Sequence, residues 1–202
     1  MYTLAKALII AVAFAAAGCG SGNTQVERIA PEQAVDVSGN WNDTDSRLVA
    51  QEMIQDATTN PWSRRFMAAH NGERPTVVVG RVANRSAEHI NVNTFVRDIV
   101  AAFLRTETAR VVSSGDERDQ TRGERQDQQD FASAATRARL RNELGANFML
   151  LGEINTIFDR EAGREVKYYQ VDLNLTNLET NELIWVGQKQ IKKFVQRRNI
   201  RR

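Results

Sequence analysis

The sequence predicts a single α/β domain, a mixed sheet carrying helices on one or both sides, and three observations lead there. A run dense in β-branched residues, TVVVGRV at 76–82, precedes an amphipathic helical pattern at 93–106 and a short apolar run at 109–113. Three long β-rich runs, at 147–158, 166–178 and 183–195, then follow with only short polar connections, the pattern of two successive hairpins. The 202 residues, 42% hydrophobic and 26% charged, suit one compact domain or at most two, with an ordinary core.

The chain opens with an address. Lys6 precedes an unbroken apolar run of 11 residues, Ala7 to Ala17, too short for the ~20 residues of a helical bilayer span but of signal-peptide length. Ala16, Ala17, Gly18 and Cys19 then resemble a bacterial lipobox, which implies a signal peptide at 1–18 and a diacylglyceryl group on Cys19, the sole cysteine. Stable anchoring takes more than one acyl chain, so a multiply acylated Cys19 would hold the mature protein on a membrane. By resemblance to lipoprotein sorting, Gly20 in place of Asp favours the outer membrane.

Residues 19–40 read as the lipidated cysteine and a flexible tether, GSGNTQVERIAPEQAVDVSGN following Cys19. Those 21 residues span at most roughly 70 Å when straight and about 25 Å as a coil. The globular body is expected at 41–202. Val49, Met53 and Ala57 mark a helix at 45–57 with Asp45 as its N-cap. Pro61 opens a second at 61–71, with Trp62 and Phe66 on its buried side and Gly72 as its stop. After the strand at 76–82 and a loop at 84–86, Phe95, Ile99 and Phe103 line the helix at 93–106. Residues 116–130, DERDQTRGERQDQQD, lack any large apolar side chain and read as a solvated helix or mobile loop. Ser133 caps a further helix through Ala135, Leu140 and Leu144 to Gly145. In the second long run Tyr169, Val171, Leu173 and Leu175 share one face and Gln170, Asp172, Asn174 and Thr176 the other, the alternation of a half-buried antiparallel strand.

Composition narrows the chemistry. Lys and Arg number 27 against 25 Asp and Glu, a balance that gives no case for nucleic-acid binding. One cysteine excludes an internal disulfide and a cysteine-cluster metal site, and His70 and His89 form no metal-ligand pattern. No phosphate-cradling glycine loop, dinucleotide fingerprint or nucleophile elbow is present, so no cofactor is implied. Glu153 with Asp159 or Asp172 offers carboxylates for a hydrolase, but no spacing selects a pair. The C-terminal stretch carries Lys189, Lys192, Lys193, Arg197, Arg198, Arg201 and Arg202, suited to acidic headgroups, to an acidic partner, or to a solvated edge strand and tail.

Several stretches together resemble the penicillin-binding protein activator LpoB family. They are WNDTDSR at 41–47, VVVGRVANRSAEHI at 77–90, ERQDQQDFAS at 124–133, NFMLLGEI at 147–154, YYQVDL at 168–173 and WVGQKQIKK at 185–193. The resemblance implies a fold like the amino-terminal domain of TolB, an outer-membrane lipoprotein reaching through the cell wall, and a bifunctional class A penicillin-binding protein as partner. It also implies stimulation of glycan polymerisation and cross-linking by contact, with no chemistry in the activator. Family members that activate the enterobacterial synthase carry a longer tether. Here tether and body together reach about 110 Å at full stretch.

The partner contact is expected at Asn84, Arg85, Ser86 and His89 together with Asp116, Glu117 and Arg118, because both segments follow expected strands, where binding loops cluster. A small-molecule or glycan-binding envelope lipoprotein is the alternative, and it requires an apolar concavity with converging polar groups.

Overall fold

The computed structural model describes residues 26–131, 133 and 144–196. The lipobox with Cys19, nearly all of the helix expected from Ser133, and Arg197 to Arg202 lie outside them. The chain divides into two compact units, Met1–Gln33 and Ala34–Arg202. In the first, residues 26–33 are irregular apart from a turn in which the Gln33 N–H donates to the Ala30 carbonyl at 3.0 Å.

In the second unit, alternation and helical periodicity act where expected. Helix α1 (Asp43–Thr59) starts two residues before the expected Asp45 because Asn42 is the N-cap. The Asn42 side chain accepts from the Asp45 N–H, and the Asp45 carboxylate accepts in return from the Asn42 N–H, both at 3.0 Å, a reciprocal capping box. Asp45 is thus the third residue of the helix, not its cap. Helix α2 (Trp62–Ala69) follows Pro61, which stands at the cap. Trp62 and Phe66 share its inner side, both edge-on to Phe148 at 5.2 and 5.4 Å between ring centres.

Strand β1 (Thr76–Asn84) leads to helix α3 (Val92–Thr106), whose Phe95, Ile99 and Phe103 are fully buried, and then to the short β2 (Arg110–Val112). Residues 116–130 fall within a helix, α4 (Gly115–Phe131), and the described side chains along it are mostly exposed, as a segment without large apolar residues must be. Strands β3 (Phe148–Glu161), β4 (Arg164–Asn177) and β5 (Leu183–Gln196) complete the sheet. The β3–β4 connection is the two-residue turn Ala162-Gly163, both at positive φ, the geometry that matches strand twist in tight hairpins.

The order across the sheet is β2-β1-β3-β4-β5. β1 pairs parallel with β2 and β3, whereas β3–β4 and β4–β5 are antiparallel, so the mixed α/β architecture is observed. α1 packs on α3 and β5, and α3 on β1 and β2. The core joins Val49, Met53 and Ile54 of α1 and the α3 residues to Val77, Leu150, Ile154, Tyr169, Val171, Leu173, Leu175 and Trp185. Its described members all lie between Trp41 and Ile191, so the hydrophobic core found among the described residues belongs to the unit beginning at Ala34, which is expected to fold without the preceding residues. The opposite face of β3–β5 carries exposed side chains, among them Ile157, Val186, Gln188, Gln190 and Phe194.

Candidate functional site

The loop after β1 is shaped by its own side chains. The Asn84 amide donates to the Glu88 carbonyl at 2.8 Å, and its oxygen accepts from the Ser86 N–H and hydroxyl at 2.9 and 2.6 Å. The Ser86 hydroxyl also accepts from the Glu88 N–H at 3.1 Å. Asx and Ser turns of this kind bend a short loop without help from distant residues. Asn84 and Ser86 therefore spend their polar groups inside the loop, and their effect is to present Glu88.

Glu88 is the centre of a buried polar cluster that the sequence reading missed. Its carboxylate receives Lys167 Nζ at 2.7 Å, the Tyr169 hydroxyl at 2.8 Å and the Trp41 backbone N–H at 3.2 Å. Lys167 also donates to the Asn40 side-chain oxygen. Beside it, Lys193 donates to Asp45 at 2.5 Å, to Asp36 at 3.0 Å and to the Asn40 carbonyl at 3.1 Å. The Trp41 ring is wedged edge-on between Phe95 and Tyr169, 6.1 and 5.6 Å from their centres. Residues 36–41 are thereby strapped across the ends of β4 and β5. These side chains tie residues 36–41 to the compact unit that starts at Ala34. A signal was available: Lys167 and Lys193 stand at the strand positions whose parity otherwise puts Tyr169 and Ile191 inward.

Electrostatics follow from this geometry. Burial pushes the Glu88 pKa up, but bonds from Lys167, Tyr169 and Trp41 outweigh it and hold Glu88 below its ordinary 4.5. Burial likewise works against the charged Lys193, and its bonds to Asp45 and Asp36 more than restore it, leaving it above 10.5. The hydrogen bond from Lys193 lowers Asp36 below 3.8. Burial first and Glu88 second raise Tyr169. Near its ordinary pKa, Glu88 holds fewer protons folded than unfolded, so its contribution is complete above about pH 5 and disappears as pH falls through the depressed folded value. Lys193 acts oppositely: its contribution is complete below its unfolded pKa and is lost as pH rises through the elevated one. Thermal melts from pH 7 to pH 3 should show a falling Tm below pH 5, and Glu88→Gln should flatten part of that limb.

The expected contact residues divide. Arg85 is exposed, with its Nε 3.8 Å from Glu153, a surface pair worth little. His89 is exposed. Glu117 pairs with Arg97 of α3, and Arg118 donates through Nε and Nη2 to the Ser113 carbonyl at 3.0 and 2.7 Å. Asp116 lies in α4, its side chain outside the described part. From the two segments, Asn84 and Arg118 both line a cavity of about 880 Å³ at the carboxyl ends of β1 and β2. Val78, Val82, Val92, Val96 and Met149 supply its apolar lining, and Arg81 and Arg122 join Arg118. A crevice outside the ends of adjacent parallel strands is where α/β sheets commonly take ligands.

Among the described residues no group of three or more His, Asp or Glu is placed to hold a metal ion. Glu153 and Asp172 are direct partners across β3 and β4, on the sheet face away from the core. Each accepts from side-chain amides, Glu153 from Asn155 and Asp172 from Gln170 and Gln188.

The family profile described as peptidoglycan-synthase activator LpoB matches residues 45–191. No curated protein matches the chain. Among solved structures, the LpoB C-terminal domain from Salmonella enterica is similar at 16% identity, with 74% of this chain and 99% of that one covered and a TM-score of 0.44. E. coli LpoB is similar at 17% identity, with 90% and 85% covered and a TM-score of 0.41. Lipoprotein GNA1162 from Neisseria meningitidis is similar at 16% identity, with 62% and 88% covered and a TM-score of 0.39. With a profile running from the first helix into the last strand, this chain belongs to the peptidoglycan-synthase activator LpoB family.

Proposed function

We propose that this protein is a lipoprotein, acylated at Cys19 and held at the periplasmic face of the outer membrane, that activates a bifunctional class A penicillin-binding protein by contact and performs no chemistry itself. The observation that carries the reading is the family match across α1 to β5, the extent of one recognition body. Activation of this kind requires only that the body bind the synthase's active conformation better than its inactive one. Among the expected contact residues, exposed Arg85, His89 and Glu117 are free of the loop-shaping role of Asn84 and Ser86, and they form the contact with Arg118.

The test uses residues 34–202 with purified class A synthases from the same host. The domain should bind one of them and raise glycan polymerisation several-fold. The combined change of Arg85, His89, Glu117 and Arg118 to Ala should weaken binding by at least tenfold while leaving Tm within about 2 °C. Absence of binding to every class A synthase would remove the reading. For the anchor, Cys19→Ser in the full chain should move the protein out of the outer-membrane fraction, and its persistence there would refute acylation. The cavity beside Asn84 and Arg118 favours a second reading, an envelope module for a small anionic amphiphile, since apolar side chains and three arginines line it.

A further inference from the structure

The order β2-β1-β3-β4-β5 leaves two edges, β2 with three residues and β5 with fourteen. From Trp185 to Gln196 the register of β5 with β4 runs unbroken, and among the described residues no hydrogen bond reaches the outward backbone groups of that stretch. A long regular edge is a template for another strand, and proteins blunt it with charge, proline or a bulge. β5 carries three lysines, but two turn back on their own domain, Lys189 to Glu52 at 2.6 Å and Lys193 to Asp45 at 2.5 Å. From Trp185 to Gln188 the edge has neither charge nor proline.

Beside that open stretch lies a cavity of about 480 Å³ between α1 and β5, lined by Glu52, Gln55, Asp56 and Thr59 on the helix and by Gly187 and Lys189 on the strand. Residues directly opposite each other in a ladder share a face. Gly187 shares its face with Trp185 of the core and with Lys189, which reaches α1, so a residue laid opposite Gly187 turns its side chain toward the cavity. Charge decides what fits there. Three α1 carboxylates reach β5: Asp45 and Glu52 each hold an ammonium, whereas Asp56 accepts from the neutral Trp185 Nε1–H at 2.9 Å. Asp56 stands in the last turn of α1, which contains no basic residue, so its carboxylate adds to the negative end of the helix dipole.

We propose that the β5 edge from Trp185 to Ile191 receives an extended segment of a partner protein as a further strand, and that a Lys or Arg of this segment, opposite Gly187, enters the cavity and pairs with Asp56. Backbone bonds supply the affinity and the cavity supplies the selectivity, the division of labour in strand addition generally. On the outer face the added strand places β-branched side chains beside Val186, which is 58% exposed. A second copy of β5 is the poorer occupant, because its inward-facing Lys189 and Lys193 already hold carboxylates of their own copy. Glu117 and Arg118 follow β2, at the opposite edge of the sheet, so this site is separate from the synthase contact above.

The probe is a fluorescein-labelled peptide of about nine residues, alternating Thr and Val with a central Lys in place of one Thr, titrated into the full chain in non-ionic detergent and read by anisotropy. It should bind with a Kd below about 1 mM, and the same peptide with Glu for Lys at least about tenfold more weakly. Methylating the peptide's backbone nitrogens on its ladder side should abolish binding. Asp56→Asn, which keeps an acceptor for the Trp185 indole, should weaken the Lys peptide about fivefold, spare the Glu peptide and hold Tm within about 2 °C. With saturating peptide, hydrogen exchange at the outward amides between Trp185 and Ile191 should slow at least about tenfold. No binding of the Lys peptide at about 1 mM, equal affinity for the Lys and Glu peptides, binding that survives backbone methylation, an unaffected Asp56→Asn, or protection away from β5 would overturn the proposal. Self-association of the peptide-free chain with the same amides protected would overturn it in favour of a second copy.

Discussion

Glu88→Ala should destabilise the domain by about 3–5 kcal/mol, the range for removing one partner of a buried ion pair. Lys167 is only 6% exposed and Glu88 only 13%, so both charges are largely shielded from water. Without the carboxylate, the Lys167 ammonium keeps only the Asn40 amide oxygen and the Phe158 ring, the Tyr169 hydroxyl keeps only a 3.4 Å bond to the Gly39 carbonyl, and the Trp41 N–H loses its acceptor. Urea titration followed by Trp fluorescence measures the loss. A buried pair is weak evidence for net stability, so Glu88→Leu with Lys167→Met should recover much of the deficit. A single-variant loss below about 1 kcal/mol would show that the cluster does not hold the body together.

Gly187→Val should be comparably damaging, about 3–5 kcal/mol, the range for losing a large aromatic from a core. The Trp185 indole lies across Gly187, two residues along the same strand face, and any Cβ there would occupy the ring's position, with the Met53 methyl close behind. The ring must leave a site where Trp185 is 5% exposed, and its Nε1 loses the 2.9 Å bond to Asp56 at the end of α1. The expected signature is a red-shifted Trp emission with a Tm lowered by ten degrees or more. Trp185→Phe, which keeps most of the ring and loses the bond, should cost only about 1–2 kcal/mol. Similar costs for the two variants would mean that Gly187 has slack the structure does not show.

Legibility followed the range of the interaction. Phe95, Ile99 and Phe103 announce α3 by spacing alone, and the alternation from Tyr169 to Leu175 announces β4, because both signals arise within a few residues of chain. The cap of α1 was misplaced by a subtler ambiguity. Asn42 and Asp45 are both residues that cap helices, and in a reciprocal box either one reads as the start. The Glu88 cluster was illegible for a different reason: Glu88 meets Lys167 and Tyr169 across separations of 79 and 81 residues, and only the register of the sheet brings them together. Its presence could be suspected from two lysines at inward positions, but its partners could not be named. The loop residues Asn84 and Ser86 were rightly noticed as polar and clustered, yet their hydrogen bonds turn inward to shape the backbone, a use that composition does not separate from binding.

The strap from Asp36 to Trp41 has a mechanical meaning. Force arriving through the leader reaches ion pairs, one amide and one indole before it reaches any rung of the β ladder. Such grips yield one at a time, and releasing the seven residues from Ala34 to Asn40 pays out roughly 25 Å of slack. The segment behaves as a fuse, absorbing a tug on the protein while the sheet behind it keeps its shape.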